Sequence, residues 1–261
     1  MKKHTFTTLL FILILLAASP LMADRPLDTE IFAGEKLEFR IRWGFITAGA
    51  ASLEVSEDSE GWMTFSARAQ SLPVLDAIYP VRNLMESTVE LPGVKTRRYY
   101  KRVKEGWGKE RDEEMLFDPA FGHVRHFKRG KLRHEVKVPE GVQDPLSCLY
   151  WYRIQPAKGT LPVYVDIADG SRLVTGSVSI LRKERVETPA GTFDTVVVEP
   201  RMEGIGGVFE KSPGARIFVW LTDDARRMPV KLQSEVMIGS FTAELTAYHS
   251  GQGGVTALLA D

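Results

Sequence analysis

Lys36-Leu37-Glu38-Phe39-Arg40-Ile41-Arg42-Trp43 alternates strictly between charged and apolar side chains. A period of two places Leu37, Phe39, Ile41 and Trp43 on one face of a strand and the four charged residues on the other, so that one face is buried and one is wet. The pattern recurs in Ala51, Leu53 and Val55 against Ser52 and Glu54, and in Met63, Phe65, Ala67 and Ala69 against Thr64, Ser66, Arg68 and Gln70. Toward the C-terminus Val230, Leu232, Val236 and Ile238 oppose Lys231, Gln233 and Glu235, and Phe241, Ala243, Leu245 and Ala247 oppose Thr242, Glu244 and Thr246. Antiparallel sheets with one solvated face read this way.

Turn chemistry separates the runs at Gly44 to Gly49, Asp58-Ser59-Glu60-Gly61, Arg129-Gly130, Asp169-Gly170, Pro189-Ala190-Gly191 and Met237–Ser240. Helical signal is scarce. Asp144-Pro145, a capping carboxylate followed by proline at the first helical position, leads Leu146 to Ile154, and a shorter turn spans Val74 to Ile78 before Pro80. Sequential hairpins at this spacing predict an all-β, mainly antiparallel fold: a single curved sheet or β-barrel-like domain with one or two short helices. There is no internal repeat and no long linker, so residues 24–250 are expected to form one domain, with 251–261 as a flexible tail.

The chain has 261 residues, with 34 Lys+Arg against 34 Asp+Glu and one Cys. A lone Cys excludes an internal disulfide, a cysteine zinc site and an iron–sulfur cluster. Neutrality argues against a generally basic nucleic-acid binder. Lys2 and Lys3 precede an apolar run from Leu9 to Ala18, and Pro20-Leu21-Met22-Ala23 closes the segment with small residues. This is the order of a secretory signal peptide, with cleavage near Ala23 and a periplasmic destination. No second long apolar run follows, so no integral membrane span is expected after cleavage.

Between Lys95 and Lys137 the alternation fails. This stretch holds 14 basic and 7 acidic residues, a local excess of positive charge inside a neutral chain. In Arg97–Lys104 neither face reads as a core face. One reading is a solvated ribbon or sheet edge, where Lys and Arg block edge pairing. The other is a basic, aromatic-bearing surface for an anionic partner, with Arg97, Arg98, Tyr99, Tyr100 and Arg102 as the ligand-binding candidates and an anionic lipid, a glycan or an envelope protein as the partner. Glu110, Asp112, Glu113 and Glu114 follow directly and offer local salt pairing.

Chemistry is sparse. There is no Gly-x-Ser-x-Gly elbow, no His-Glu-x-x-His and no Gly-rich phosphate loop, and no cofactor is expected. Cys148, set among Leu146, Leu149, Tyr150 and Trp151, reads as a buried thiol before a nucleophile. His123 and His126 point to opposite faces of a strand. His126 and His134 flank Arg129-Gly130 and approach across a hairpin, but Arg125 and Arg133 beside them oppose a cation. Asp223-Asp224 reads as a turn before a calcium site. For Trp43, Trp62, Trp107, Trp151 and Trp220 the core is the default, although a barrel interior can host an amphiphile.

Several stretches taken together carry a resemblance. They are Arg42-Trp43-Gly44 with Ala48-Gly49, Tyr79-Pro80-Val81, Val142-Gln143-Asp144-Pro145-Leu146-Ser147, Thr188-Pro189-Ala190-Gly191-Thr192-Phe193, and Val219-Trp220-Leu221-Thr222-Asp223-Asp224 with Pro229-Val230. In this order and spacing the chain resembles, from about Phe32 to Tyr248, the bacterial exported family known as domain of unknown function 3108. The resemblance implies a Gram-negative envelope protein with a mainly β fold, and it carries no catalytic residues over. The expected function is non-enzymatic binding of an envelope component, an amphiphile or an anionic glycan. The alternatives are a protein-interaction or scaffolding module of the envelope and an unrecognised hydrolase. If residues 1–23 are a leader, intact-mass measurement of the protein recovered after export should show a chain beginning at or near Asp24. A chain retaining Met1–Ala23 would overturn the leader assignment.

Overall fold

The computed structural model describes residues 32–250 apart from 119, 121, 157–160, 203–215 and 236–239. The leader, the C-terminal tail and the expected strand positions Val236 and Ile238 lie outside the described residues. The strands are β1 (Glu35–Trp43), β2 (Ile46–Glu57), β3 (Met63–Ser71), β4 (Val81–Glu90), β5 (Lys95–Glu105), β6 (Arg111–Asp118), β7 (His123–Lys128) and β8 (Lys131–Lys137) in the first half. The second half supplies β9 (Val163–Asp169), β10 (Arg172–Thr188), β11 (Gly191–Arg201), β12 (Arg216–Thr222), β13 (Pro229–Glu235) and β14 (Ser240–Ser250). Helix α1 (Pro73–Asp76) joins β3 to β4, and α2 (Ser147–Arg153) lies between β8 and β9.

All fourteen strands form one antiparallel sheet in the order β8-β7-β6-β5-β4-β3-β2-β1-β14-β13-β12-β11-β10-β9. The first and last strands pair at its centre, Leu37 opposite Tyr248 and Trp43 opposite Phe241. Followed around the chain, every strand pairs with its sequence neighbour except β8 and β9, and α2 belongs to the connection that spans this break. The expected all-β architecture of a strongly curved sheet with two short helices is the one observed.

Helix α2 fills the curve of the first half. Leu146, Tyr150 and Ile154, spaced along one helical face, join Phe65, Val89, Tyr99, Met115, Phe117 and Val124 in one buried cluster. Tyr150 stacks on Phe65 at 3.8 Å between ring centroids and meets the Phe32 edge at 5.4 Å. The start of α2 is closed reciprocally. Asp144 Oδ1 accepts from the Leu146 and Ser147 amides at 2.8 and 2.9 Å, while Ser147 Oγ accepts from the Asp144 amide at 2.9 Å. The other carboxylate oxygen, Oδ2, accepts from Ser87 Oγ of β4 at 2.5 Å and Thr96 Oγ1 of β5 at 3.0 Å. The cap therefore also fastens the helix to the sheet. At the other end, Arg153 is fully buried and its guanidinium forms a fork with Glu35 of β1, at 2.7 and 2.6 Å. Its Nε donates to the Arg226 carbonyl at 3.0 Å, and the Phe32 ring lies 4.3 Å away.

Three expectations change. The turn assigned to Gly44–Gly49 is only Gly44-Phe45; Gly49 lies within β2, where a Cβ would come 2.2 Å from the Gln70 carbonyl oxygen. That glycine serves close approach of β3 rather than a turn. In β5 the inner face is a core face after all, because Tyr99 and Val103 are buried; a bulge opposite Thr88 and Val89 shifts the register and hides the period. Of the tryptophans only Trp220 is buried, and Trp43 and Trp107 are exposed at hairpin tips.

The Glu35–Arg153 pair generates a stability prediction. Glu35→Ala or Arg153→Ala leaves the surviving charge buried without its partner and should lower the unfolding free energy by about 3–5 kcal/mol in urea titrations. Replacing both by apolar residues of similar volume should lose much less than the sum of the two single changes.

Candidate functional site

Among the described residues, the basic stretch, an inner-face pocket and an apolar groove each present groups to a ligand. The first is the basic stretch itself. Arg98, Tyr100 and Arg102 alternate along the outer face of β5, with Arg98 and Arg102 guanidinium carbons 5.3 and 5.8 Å from the Tyr100 ring centroid. Acidic residues of β6 meet them: Arg98 Nε donates to Glu114 at 2.6 Å, Tyr100 donates to Asp112 at 2.8 Å, and Arg102 lies 3.5 Å from Glu110. Arg97 pairs with Glu90 beside the Trp62 ring. Tyr99 points the other way, into the core, and is 2% exposed. The structure thus brings together four of the five candidates on one side, each already paired, and separates Tyr99 from them.

The second place is on the inner face, where charged residues meet the β9–β10 turn. Lys101 Nζ lies 2.8 Å from Asp169 and 3.5 Å from Glu113, which also accepts from His126 Nε2 at 3.1 Å and pairs with Lys128 at 3.3 Å. His126 and His134 stack at 5.8 Å, so the expected approach across the hairpin occurs. This cluster lines a pocket of about 310 Å³. Burial pushes the Glu113 carboxyl up, but Lys101, Lys128 and His126 outweigh it and hold it below the usual carboxylate range. Burial pushes His126 down, only partly offset by Glu113, which favours the neutral ring. Among the described residues no group of three or more His, Cys, Asp or Glu side chains is placed to hold a metal.

The third is an apolar groove of about 410 Å³ in the second half. Tyr152 of α2, Val198 and Leu221 are buried along it, and Val163, Val178, Ile180 and Val196 continue it. The register explains the file: Val163 pairs with Val178, Ile180 with Val198, and Val196 with Leu221, so these side chains project from one face. Charge gathers at its rim. Lys183 bonds Asp223 at 2.7 Å, Arg182 bonds Glu184 at 2.7 Å, and Arg227 donates to the Gln155 carbonyl at 2.6 Å. Asp224 Oδ1 accepts from the Arg226 and Arg227 amides at 3.0 Å, which is the turn expected of Asp223-Asp224.

The groove was missed in the sequence, although a signal exists. Val196-Val197-Val198 is apolar without alternation, as in a strand covered on both faces. Val197 enters a separate cluster with Leu37, Trp220 and Leu245, while Val196 and Val198 face the groove.

Cys148 is half-buried, and its Sγ–H donates to the Pro145 carbonyl at 3.2 Å. Burial first, and the nearby Asp144 carboxyl second, push the thiol up to about 12, the opposite of an activated nucleophile.

Fold and site together define a β-barrel-like protein of one long coiled meander, with one half filled by its own helix and an apolar groove in the other. The chain belongs to the family of proteins of unknown function DUF3108, whose model matches residues 38–246. Among solved structures it is similar to a β-barrel-like protein of domain of unknown function DUF1849 from Brucella abortus, with TM-score 0.56, 12% identity, and coverage of 87% of this chain and 98% of that one. A protein from Bacteroides fragilis described as exported, with a YmcC-like fold, matches with TM-score 0.32 and 12% identity over 83% of this chain and 96% of its own. Among curated proteins none matches. No helix among the described residues is long and apolar enough to cross a membrane.

The inner cluster carries a pH prediction. Burial holds the folded His126 below the ordinary imidazole value of about 6.5, so the unfolded chain takes up the proton first and stability falls as pH drops below about 6.5. Glu113, with its folded pKa lowered from 4.5, contributes stability that is present above that value and lost on further acidification. Chemical denaturation between pH 8 and 5 should show the first loss, and His126→Gln should flatten it.

Proposed function

We propose that this is a non-enzymatic periplasmic protein, exported on residues 1–23 and folded as one domain over 24–250, that binds an amphiphile of the cell envelope. One observation carries the reading: the groove across β9–β12 is a continuous apolar file with charged groups, Arg182, Lys183 and Arg227 among them, only at its rim. An amphiphile has the matching anatomy, a chain for the file and a polar head for the rim, and the volume lies in the range of about 300–1,000 Å³ typical of small-molecule sites. The curve of the first half is filled by α2, so the groove and not a central cavity is where the chain would lie. An anionic glycan on β5 is less well supported, because Arg98 and Arg102 would have to give up Glu114 and Glu110. The raised thiol of Cys148 supports a binding role over hydrolysis through a thiol nucleophile.

Mass spectrometry of organic extracts from protein purified out of its own envelope should show a stoichiometric amphiphile. A fluorescent long-chain carboxylate should bind saturably, and Val178→Trp, which fills the groove from a partly exposed position, should weaken it by about tenfold or more, a change of roughly 1.4 kcal/mol. Charge reversal at Arg98 and Arg102 should leave this binding unchanged. Clean extracts together with no saturable probe binding would overturn the reading.

A further inference from the structure

The sheet is an up-and-down meander through β1–β8, so the connections β1–β2, β3–β4, β5–β6 and β7–β8 all fall at the same end of their strands. The first three carry the most exposed large apolar residues of this half. Phe45 is 87% exposed at the first tip, Val74 and Ile78 are 73% and 72% exposed on and after α1, and Trp107 is 76% exposed at the third. Tyr79 and Trp43 flank them. At the opposite end, among the described residues, the β2–β3 turn is Asp58-Ser59-Glu60-Gly61 and the β4–β5 turn buries Val94, and neither contributes an exposed large apolar residue; the β6–β7 connection holds residues 119 and 121, which lie outside the described residues. The asymmetry is not what scattered surface apolar residues give.

These tips are held in place. The Gly44 amide donates to the Ser240 carbonyl at 3.1 Å, Leu72 to Ala48 at 3.0 Å, and Gly106 to Pro80 at 2.8 Å. Trp107 Nε1 donates to the Ile78 carbonyl at 3.3 Å, and Gly106 lies so close under the Tyr79 ring that a Cβ would sit 2.7 Å from it. Alternate hairpins of one sheet stand roughly 10 Å apart, so the apolar tips form a line about 20 Å long. The fourth tip ends the line with Lys128-Arg129-Gly130-Lys131, and Arg129 reaches back to the Glu110 carbonyl beside Trp107 at 3.3 Å. Lys109 and Arg111 lie two and four residues after Trp107, on either side of Glu110.

We propose that this end of the sheet docks on an anionic lipid bilayer, with Phe45, Ile78 and Trp107 entering the interface and Arg129 and Lys131 facing the lipid phosphates. The composition selects this partner. Protein interfaces are depleted of Lys at their apolar centre, whereas an anionic leaflet attracts Lys and Arg next to inserted aromatic residues. The tips are also separate protrusions along one end of the sheet, which suits an extended lipid surface. The inference concerns a different face from the groove and stands without it.

Flotation of the processed protein with vesicles containing phosphatidylglycerol should show binding that weakens with added salt, and pure phosphatidylcholine vesicles should bind less. Phe45→Ser with Trp107→Ser, two exposed positions whose change should leave the circular dichroism intact, should reduce binding by about tenfold or more. Brominated lipid should quench the tryptophan emission of the wild type and quench Trp107→Ser less. Val178→Trp should float as the wild type does, which separates failure here from failure of the groove reading. Absence of vesicle binding, flotation of the double variant at the wild-type level, or in-cell crosslinks placing Phe45 and Trp107 against one protein would each overturn the proposal.

Discussion

The paired charges of Glu35 and Arg153 hold the two halves of this molecule in relation. Arg153 ends the helix that fills the first half, Glu35 begins the strand at the middle of the sheet, and the Arg226 carbonyl that accepts from the guanidinium Nε belongs to the turn between β12 and β13. Burying two full charges is expensive, and only complete pairing makes it tolerable. Here the fork geometry and the third acceptor leave one well-defined seat for the helix end. The neighbouring Arg227 then donates to the Tyr152 and Gln155 carbonyls at the same helix end. Since Tyr152 is part of the groove, the shape of the groove inherits its precision from a contact on the far side of the helix.

At the opposite helix end, Asp144 works by a different balance. Burial pushes its carboxyl up, against hydrogen bonds from Ser87, Ser147 and Leu146 that pull it down. Four donors converge on it from the helix start and from two strands, so its loss would undo the cap and both strand attachments together. Helix α2 is short, and a helix of seven residues has little stability of its own in water. It persists because both ends are anchored by groups that have no other partner as good.

The sequence disclosed the strands whose two faces differ and concealed those whose faces do not. Leu37, Phe39, Met63, Phe65 and Leu245 were read as inward and are buried, because one side of their strands meets water. Asp144-Pro145 announced the helix because capping chemistry is local. Lys101 and Glu113 were illegible, since a charged residue on an inner face looks like a solvated one until its partner, Asp169, arrives from the other half of the chain. The groove was hidden for the converse reason: an unalternating valine run shows that both faces are covered or apolar, but not by what. Trp43 and Trp107 were assigned to the core on residue type, and hairpin position decided otherwise.

Strongly shifted titrating groups often mark reactive centres, and the direction of the shift tells which kind. A nucleophilic thiol needs its pKa lowered, and a base or acid working near neutrality needs one brought toward 7. Cys148, Tyr99 and Tyr150 are all driven up by burial, away from their reactive anions, and His126 is driven down, away from its charged form. Each shift is what a dry interior imposes on a group that is meant to stay neutral. Glu113 is lowered because Lys101, Lys128 and His126 surround it. The perturbations therefore describe a packed and internally compensated scaffold. Such a scaffold is consistent with the proposed sites lying on its open surfaces, the groove and the apolar tips, and not in its interior.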